Sequence, residues 1–386
     1  MMLPVRALDP VESTAEGLAL LHTLLEIRSP SGQETAATTY LTDWMARRGF
    51  IAHRDAAGNA VGVLEDPEPL EHDLRTREIV LLGHIDTVDG FPRVAQRDGK
   101  LFGRGAVDAK GPLAAFATAA ARVGPRPGWR IVVVGAVEEE STTSKGARYV
   151  AGRRQPDLAI IGEPAGWQRV ALGYKGRVLA DVTVQRILSH TAGPAASAPE
   201  IAVAYWNRVS AAVTQLNNGQ QKVWDQLQAS LRRFASSDDG LVETAEMLLG
   251  FRLPLHVSPD QVKSLLVSLD GDAGLRFRGE DPAYRADKNT PLVHAFLAAV
   301  REQGGEPGFV VKTGTCDMNV VGPVWRCPLL AYGPGDSSLD HTPKEHVEIA
   351  EWQRGVEVLA DVLLRVTDPP VNVVKHPERN SRFLAV

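Results

Sequence analysis

Histidine and acidic residues follow several strongly apolar runs of the sequence. His84 and Asp86 come after IVLLG, three glutamates at 138–140 follow IVVVGAV, Glu163 follows LAIIG, and His341 comes after CPLLAYGPG. Runs of this kind are typical of parallel strands buried on both faces. Because sites form at the carboxyl ends of such strands, we expect these side chains to lie close together.

A cluster with so many carboxylates requires a compensating positive charge. Buried carboxylates raise each other's pKa values, whereas a divalent cation supplies the missing charge and orders its ligands. Imidazole and carboxylate ligands fit Zn²⁺, with Co²⁺ or Mn²⁺ as alternatives. Two histidines and four or more acids exceed the needs of one ion, so the sequence predicts two cations about 3.5–4 Å apart. Asp108, in the glycine-rich segment FGRGAVDAKG, is the candidate bridge between them.

The predicted pair of cations would support hydrolysis. Such a pair activates water for attack on a carbonyl, and a spare carboxylate can accept the proton. Each motif alone has a simpler interpretation. A single histidine is more often a surface or core residue, and three successive glutamates often occupy the solvated start of a helix. The joint placement at four strand ends favours the metal-dependent hydrolase.

The composition is typical of a globular protein from a reducing compartment. The 386 residues carry a net charge of −5, which gives no indication of a nucleic-acid partner or an anionic membrane surface. No segment approaches the ~20 apolar residues of a membrane span, and we expect no signal peptide. Cys316 and Cys327 are the two cysteines, so we expect no disulfide framework and a cytoplasmic location.

The order of helical and strand-like patterns predicts two domains. Helices and strands alternate in the first and last parts of the chain, which predicts an α/β fold with a mostly parallel sheet. Between them, half-exposed strands and two helical stretches indicate an α+β unit. We therefore predict a catalytic domain in two segments, 1–176 and 285–367, an inserted domain at 177–284, and a loosely ordered tail at 368–386.

Two local patterns predict helix boundaries. Ser31 and Glu34 have the spacing of a capping box, which predicts a helix that begins directly after Ser31. Residues 199–234 have a helical pattern throughout, with a break near Asn217–Gly219.

The chemical motifs together resemble a known family. GHIDTV, GRGAVDAKG, EEES followed by KGA, IGEP and DHTPKEHV have the order and spacing found in the dinuclear zinc hydrolases that include acetylornithine deacetylase, succinyl-diaminopimelate desuccinylase and aminoacylase. The resemblance extends from about residue 15 to residue 365. It implies a zinc-aminopeptidase-like catalytic domain with an inserted ferredoxin-like lid, which often forms the interface of a homodimer.

The resemblance implies a role for each strand-end residue. The implied ligands of two zinc ions are His84, Asp108, Glu140, Glu163 and His341. His84 and Glu163 would complete one site, Glu140 and His341 the other, and Asp108 would bridge both. Asp86 resembles the acid that orients the first-site histidine. It lies two residues from His84, so both side chains would share one face of an extended strand.

The general base is one of the adjacent glutamates. The family usually has Asp-Glu-Glu at this point, with the middle residue as base and the last as ligand, whereas this chain has Glu138 in the first position. The spacing to Lys145 favours Glu139 as the base and Glu140 as the ligand. A frame one residue earlier, with Glu138 as the base, remains an alternative.

Two further residues resemble functional positions of the family, and a third could line the rim of the site. His190, in QRILSHTAG, would stabilise the oxyanion, often in the active site of the partner subunit. Arg252, in GFRLPL, would bind a substrate carboxylate, for which the planar guanidinium is suited. Lys312 would lie on the rim of the site. The simpler interpretation of each is an ordinary loop or surface residue.

The stretches VKTGTCDMNVVGP and AYGPGDSSLDHTPKEHVEI resemble a subgroup of lysine- and arginine-biosynthesis hydrolases. Those enzymes release lysine or ornithine from an amino-group carrier protein, whose terminal glutamate side chain forms the amide. An acidic carrier favours a basic approach surface, yet residues 177–284 contain 10 Lys and Arg against 12 Asp and Glu. The alternative substrates are N-acetyl-ornithine or N-acetyl-lysine, succinyl-diaminopimelate and a dipeptide.

Two other classes of function compete with hydrolysis. A non-catalytic relative would bind an amino-acid conjugate without converting it. Loss of the base or of a ligand would mark that class, but every position is filled here. In a protein with a purely structural metal, chelation would unfold the chain.

Overall fold

The computed structural model of the protein describes residues 10–66, 75–190, 192–269 and 273–368. The helices in these ranges are Pro10–Glu26 (α1), Thr35–Ala46 (α2), Lys110–Val123 (α3), Lys145–Ala151 (α4), Ala198–Leu216 (α5), Pro259–Ser268 (α6), Pro291–Glu302 (α7), Asp317–Trp325 (α8) and Ile349–Thr367 (α9). Two short 3₁₀ helices span Val223–Asp225 and Ser337–Leu339. None of these helices is long and apolar enough to cross a membrane.

The strands in the same ranges form three sheets. They are Ile51–Arg54 (β1), Ala60–Glu65 (β2), Arg77–His84 (β3), Ala95–Arg97 (β4), Lys100–Phe102 (β5), Trp129–Ala136 (β6), Leu158–Gly162 (β7), Arg169–Tyr174 (β8), Gly176–Ile187 (β9), Gln228–Asp238 (β10), Val242–Leu253 (β11), Ala273–Asp281 (β12), Tyr284–Arg285 (β13), Gly308–Lys312 (β14), Leu329–Tyr332 (β15) and His346–Glu348 (β16). A small antiparallel sheet has the order β16-β5-β4.

The main sheet has the order β1-β2-β6-β3-β7-β15-β8-β13, with β14 beside β8. Its four central strands, β6, β3, β7 and β15, are parallel, while β2 and β8 join them in antiparallel pairs. The predicted α/β fold with a mostly parallel central sheet is confirmed. The carboxyl ends of the four central strands therefore meet at one edge of the sheet.

Successive apolar side chains of the central strands point to opposite faces of the sheet. Ile131 and Val133 pack with helices α1, α2, α3, α7 and α9, whereas Val132 and Val134 pack with α4 and α8. All four side chains are fully buried. The apolar runs are continuous because a parallel strand covered on both faces has no position that faces solvent.

Helix α3 lies close to the central strands because glycines face it. A Cβ atom at Gly83 would lie 3.2 Å from the Cβ of Leu113, and one at Gly162 would lie 2.9 Å from the Cα of Gly83. His84 follows the first glycine and Glu163 follows the second. Because these glycines have no side chain, α3 packs directly on the strands. The ends of β3 and β7, with His84 and Glu163, therefore lie close to the loop before α3.

A second, antiparallel sheet lies in the middle of the chain. Its elements run β9-α5-β10-β11-α6-β12, and its strand order is β10-β11-β9-β12. This arrangement is the predicted ferredoxin-like unit. Helices α5 and α6 cover one face through residues such as Tyr205 and Leu266. The domain boundaries at 177 and 284 stay a prediction, and the predicted tail lies outside the described residues except for Asp368.

The capping box predicted at Ser31 and Glu34 is wrong. Helix α2 begins at Thr35, and the Glu34 side chain makes no capping hydrogen bond. The Oγ of Ser31 donates to Oδ2 of Asp86 at 2.6 Å, and Oε1 of Glu34 accepts the backbone N–H of Glu138 at 3.2 Å. Both side chains therefore hold the loops at the strand ends instead of the helix end.

The second half of the helix predicted for residues 199–234 is also wrong. Helix α5 ends at Leu216, and residues Gln228–Asp238 form the edge strand β10. A β-bulge between Leu231 and Arg233 explains the misleading pattern. The bulge turns Leu231 and Phe234 toward the same face, where they oppose buried residues of β11. Apolar side chains three residues apart on one face resemble a helical pattern.

Replacement of Gly162 by alanine tests the close packing of the strand ends. Gly162→Ala should lower the free energy of unfolding by about 1–3 kcal/mol, because the added methyl group would overlap the backbone of β3. Urea unfolding measures this effect. Gly152→Ala is the matched control, since a Cβ there would lie 3.7 Å from the nearest atom, and it should change stability by less than about 0.5 kcal/mol. Equal stability of both variants would contradict the packing described.

Candidate metal centre

Asp108 lies between two histidines at the carboxyl ends of the parallel strands. Its Oδ1 is 3.1 Å from Nε2 of His84, and its Oδ2 is 3.0 Å from Nε2 of His341. The peptide bond between Asp108 and Ala109 is cis. Each carboxylate oxygen faces a different imidazole, and a carboxylate in this position can bridge two cations.

The glutamates after β6 complete the cluster. Oε1 of Glu140 is 2.9 Å from Nε2 of His341, and Oε2 of Glu139 is 3.9 Å from Nε2 of His84. Within the described ranges, two groups have ligand atoms within 4.8 Å of one another: His84 with both glutamates, and Asp108 with Glu140 and His341. Glu163 is outside these two groups, but it is nearly buried and lines the same cavity.

The acidic residues of the cluster disturb each other's ionisation. Burial and the carboxylates of Glu163 and Asp317 raise the pKa of Glu139 well above its usual range. Burial and the Asp108 carboxylate raise the pKa of Glu163 in the same way, and that of Asp340 to about 8. Burial also opposes the charge on Asp108, but hydrogen bonds from the two imidazoles hold its pKa below the usual range.

The donor set fits two divalent cations. Two imidazoles and three or more carboxylates converge at one point, and no lysine or arginine among the described residues forms an ion pair with these carboxylates. A divalent cation favours the ionised form of every carboxyl group around it, so it would reverse the upward pKa shifts. Zn²⁺ and Co²⁺ both accept mixed imidazole and carboxylate ligands.

Asp86 contacts both the histidine and the glutamates. Its side chain is fully buried, and its backbone carbonyl lies 3.0 Å from Nδ1 of His84. Its Oδ1 accepts the N–H of Glu139 at 3.0 Å, and its Oδ2 accepts the N–H of Glu140 at 3.1 Å. Burial opposes its charge, yet the hydrogen bond with His84 and the others it accepts keep its pKa below the usual value. The contacts of Asp86 therefore extend to a second strand end, and its orienting role stays a prediction.

A cavity of about 820 Å³ separates the cluster from the antiparallel sheet. On one side it is lined by Asp108, Glu139, Glu140, Glu163 and His341. On the other side it is lined by basic residues, which are Arg177, Arg232, Arg252, Arg278 and Lys312. The cavity thus places a cluster of acidic side chains opposite a set of cationic side chains, an arrangement suited to an anionic substrate.

Comparison with known proteins identifies the family. Residues 80–365 match the model of the peptidase family M20/M25/M40. The chain belongs to this family. A LysW-lysine hydrolase of Deinococcus radiodurans is 43% identical over 93% of this chain and 99% of its own length. A putative LysW-lysine/LysW-ornithine hydrolase of Thermococcus kodakarensis is 34% identical over 91% of this chain and 92% of its own.

Solved structures of M20 proteins share the fold. The M20 family metallo-carboxypeptidase Sso-CP2 of Sulfolobus solfataricus aligns with a TM-score of 0.72 and 17% identity, over 91% of this chain and 99% of that one. The YXEP protein of Bacillus subtilis, described as a dinuclear metal-binding peptidase, aligns with a TM-score of 0.64 and 11% identity, over 92% and 99% of the two chains. The predicted family and hydrolase class are confirmed, while the ligand set stays a prediction.

Glu345 is a residue of this M20 site that the sequence interpretation missed. Its side chain is fully buried, pairs with Arg104 and accepts the N–H groups of Gly105, Val107 and Asp108 at 2.9–3.2 Å. Glu345 therefore holds the loop that carries Asp108. The motif DHTPKEHV contains it, but nothing in the motif distinguishes a loop-holding acid from a solvated one.

Asp317 was also missed. It is almost completely buried, and its Oδ1 has no hydrogen-bond partner among the described residues. Burial and the carboxylates of Asp86 and Asp281 raise its pKa to about 7. The residue is the first of α8 and lies in the stretch VKTGTCDMNVVGP, whose resemblance indicates a substrate subgroup but gives Asp317 no role of its own.

The predicted substrate-binding residues have different positions. Arg252 lines the cavity and donates to Oγ1 of Thr315 at 2.7 Å. Lys312 also lines it and donates to Oγ of Ser337 at 2.5 Å. His190 is exposed and is not among the cavity-lining residues of its own chain.

Removal of the Asp108 carboxylate tests the predicted bridge. Asp108→Ala should bind neither cation after chelation and reloading with Zn²⁺, whereas the wild-type chain should bind about two, because Asp108 faces both histidines. Metal analysis of the dialysed protein measures the stoichiometry. Asp89→Ala, a change at an exposed acid outside the cavity lining, is the matched control. Full metal content in Asp108→Ala would contradict the bridge.

Proposed function

We propose that this M20 hydrolase cleaves the amide between the α-amine of lysine, or ornithine, and the side-chain carboxyl of the terminal glutamate of an amino-group carrier protein. The observation that carries the proposal is the 43% identity to a LysW-lysine hydrolase over nearly the whole of both chains. The archaeal relatives named for lysine and ornithine support the inclusion of both amino acids.

The charge on the antiparallel sheet supports an acidic carrier. One face of the sheet can be followed through register partners on its four strands, which are Arg233, Leu248, Asp181 and Arg276. Leu248 lines the cavity, so this is the face that the cavity contacts. The arginines on this face are Arg177, Arg232, Arg233, Arg252, Arg276 and Arg278. The net charge of residues 177–284 is close to zero, but the arginines are concentrated on this one face. Complementary charge of this kind accelerates the encounter with an acidic partner.

The bound ions would be two Zn²⁺, with Co²⁺ as an alternative. The residues proposed to hold them are His84, Asp108, Glu140, Glu163 and His341. When bound, such ions lower the pKa of water and polarise the amide carbonyl.

Glu139 is the proposed general base. It lines the cavity and lies beside His84, so it can accept a proton from the attacking water and later donate it to the leaving amine. Glu138, the alternative base, is outside the cavity lining. Its carboxylate accepts from Oγ1 of Thr143 at 2.6 Å and pairs with Lys145 at 3.3 Å. The geometry therefore favours Glu139.

His190 is proposed to act in the partner's active site. A group that stabilises an oxyanion has to reach the reacting carbonyl, yet His190 is exposed and outside the cavity lining of its own chain. A homodimer formed through the ferredoxin-like sheet would allow each chain to supply His190 to the other. We place this enzyme in the cytoplasm, where a biosynthetic carrier would be available.

Turnover of matched substrates tests the proposed function. The Zn²⁺-loaded protein should release lysine or ornithine from the carrier conjugate with a higher kcat/KM than from N-acetyl-lysine, N-acetyl-ornithine or succinyl-diaminopimelate. Glu139→Gln should lower kcat by about 10²-fold or more while retaining bound metal, because only the proton acceptor is lost. Amine release assays and metal analysis measure both effects.

Glu138→Gln is the matched control for this experiment, and it should retain most of the activity. A large loss of activity in Glu138→Gln together with normal turnover in Glu139→Gln would identify Glu138 as the general base. A higher kcat/KM for an N-acetyl substrate would indicate that the substrate is a small molecule and not the carrier conjugate. No amine release from any of these substrates would indicate a binding protein instead of an enzyme for them.

Complementation tests the transfer of His190 between subunits. His190→Ala and Glu139→Gln should each be inactive alone, but their co-expression should restore about a quarter of the wild-type activity. Half of the randomly assembled dimers would be mixed, and each mixed dimer would hold one complete site. Activity that stays at the level of the single variants would assign His190 to its own chain or to no catalytic role.

A further inference from the structure

Arg232 is a cavity residue that the proposed reaction does not use. It lines the same cavity as Glu139, Glu140 and His341, but its side chain is exposed to the solvent that enters the cavity. It lies on β10, the edge strand that the sequence pattern predicted as helix. Arg232 was therefore not a candidate site residue before the fold was known.

The backbone is arranged so that Arg232 can extend over the sheet toward the cavity. Arg232 lies between the two residues that flank the β-bulge of β10, and bulges often redirect side chains beside active sites. Gly250 lies on the neighbouring strand, and a Cβ atom there would come within 2.7 Å of Cδ of Arg232. Because Gly250 has no side chain, the Arg232 side chain can pass over it.

The charge of Arg232 has no counter-ion among the described residues. Arg177 pairs with Asp281 at 2.9 Å, and Arg278 pairs with Asp181 at 2.8 Å. Arg232 makes no hydrogen bond or ion pair in the part of the chain that the structure describes, and Arg252 donates only to a threonine hydroxyl there.

The two unpaired guanidinium groups also repel each other. Burial, with the charges of Arg177 and Arg232, lowers the pKa of Arg252. Arg232 and Arg252 line one cavity, and neither pairs with a carboxylate among the described residues. Two such guanidinium groups are best compensated by a ligand with two anionic groups. Arg252 already has a predicted partner, a substrate carboxylate. We assign to it the carboxylate of the amino acid that is released, which leaves Arg232 for a second carboxylate.

We propose that Arg232 binds a carboxylate on the acyl side of the cleaved amide and so selects substrates with an anionic acyl group. This inference rests on the proposed function, because the acyl group there is a terminal glutamate whose α-carboxylate is free. Arg232 is a specificity-determining residue, since it contacts the substrate at a distance from the reacting atoms. The residue should discriminate between acyl groups of equal length that differ in charge.

Two small substrates separate charge from size. Nα-glutaryl-lysine has a carboxylate at the end of a five-carbon acyl chain, and Nα-pentanoyl-lysine has a methyl group at that position. The wild-type protein should have a kcat/KM for glutaryl-lysine that is roughly tenfold to a hundredfold higher, as expected for a charge-assisted hydrogen bond. Arg232→Gln should bring this ratio close to one, and Arg232→Lys should restore part of it.

Two further variants sharpen the test. Arg233→Gln is the matched control, because Arg233 has the same charge and lies on the same face but does not line the cavity. It should leave the ratio at the wild-type value. Gly250→Ala should lower the ratio without any change of charge, because the new methyl group would displace the Arg232 side chain.

The outcomes distinguish this inference from the proposed function. An unchanged ratio in Arg232→Gln, or an equal loss in Arg233→Gln, would overturn the role of Arg232. Binding of both acyl-lysines to the Glu139→Gln protein, measured by calorimetry, provides a readout that does not need turnover. If the wild-type protein released no lysine from the carrier conjugate but glutaryl-lysine still bound in an Arg232-dependent way, the proposed function would fail and the carboxylate site would stand.

Discussion

The mutual repulsion of buried carboxylates is the constraint on which the rest of the structure depends. Asp108, Glu139, Glu140 and Glu163 meet at one edge of a parallel sheet, where burial and their neighbours raise the pKa values of the three glutamates. Two imidazoles offset this charge only in part. A site of this kind is suited to divalent cations, which would convert an unfavourable cluster into a set of ordered ligands.

Much of the surrounding chain holds the cluster in place. Glycines near the strand ends, such as Gly83 and Gly162, allow helix α3 to approach until backbones and side chains touch. Asp86 and Glu345 are buried acids that accept backbone N–H groups instead of facing the cavity. The geometry of Asp108 therefore depends on residues that have no contact with substrate.

The antiparallel sheet contributes charge of the opposite sign. Its helices bury the other face, so the face on the cavity is free to carry arginines. The acidic cluster and the arginines then lie on opposite sides of one cavity. An anionic substrate can fit between them, with its amide near the acidic ligands and its carboxylates near Arg232 and Arg252.

Sequence alone determined the parallel sheet, the inserted ferredoxin-like unit, the family and the residues that gather around Asp108. The sheet and the gathering of the strand-end residues follow from apolar runs and residue types at fixed spacing, whereas the ferredoxin-like unit and the family follow from the resemblance of the motifs to a known family. Both kinds of signal are local properties of the chain. Only the tertiary structure decided the strand at Gln228–Asp238, the loop-holding role of Glu345 and the position of Arg232. A bulge, a buried backbone acceptor and a shared cavity depend on contacts between segments far apart in sequence, which no local pattern records.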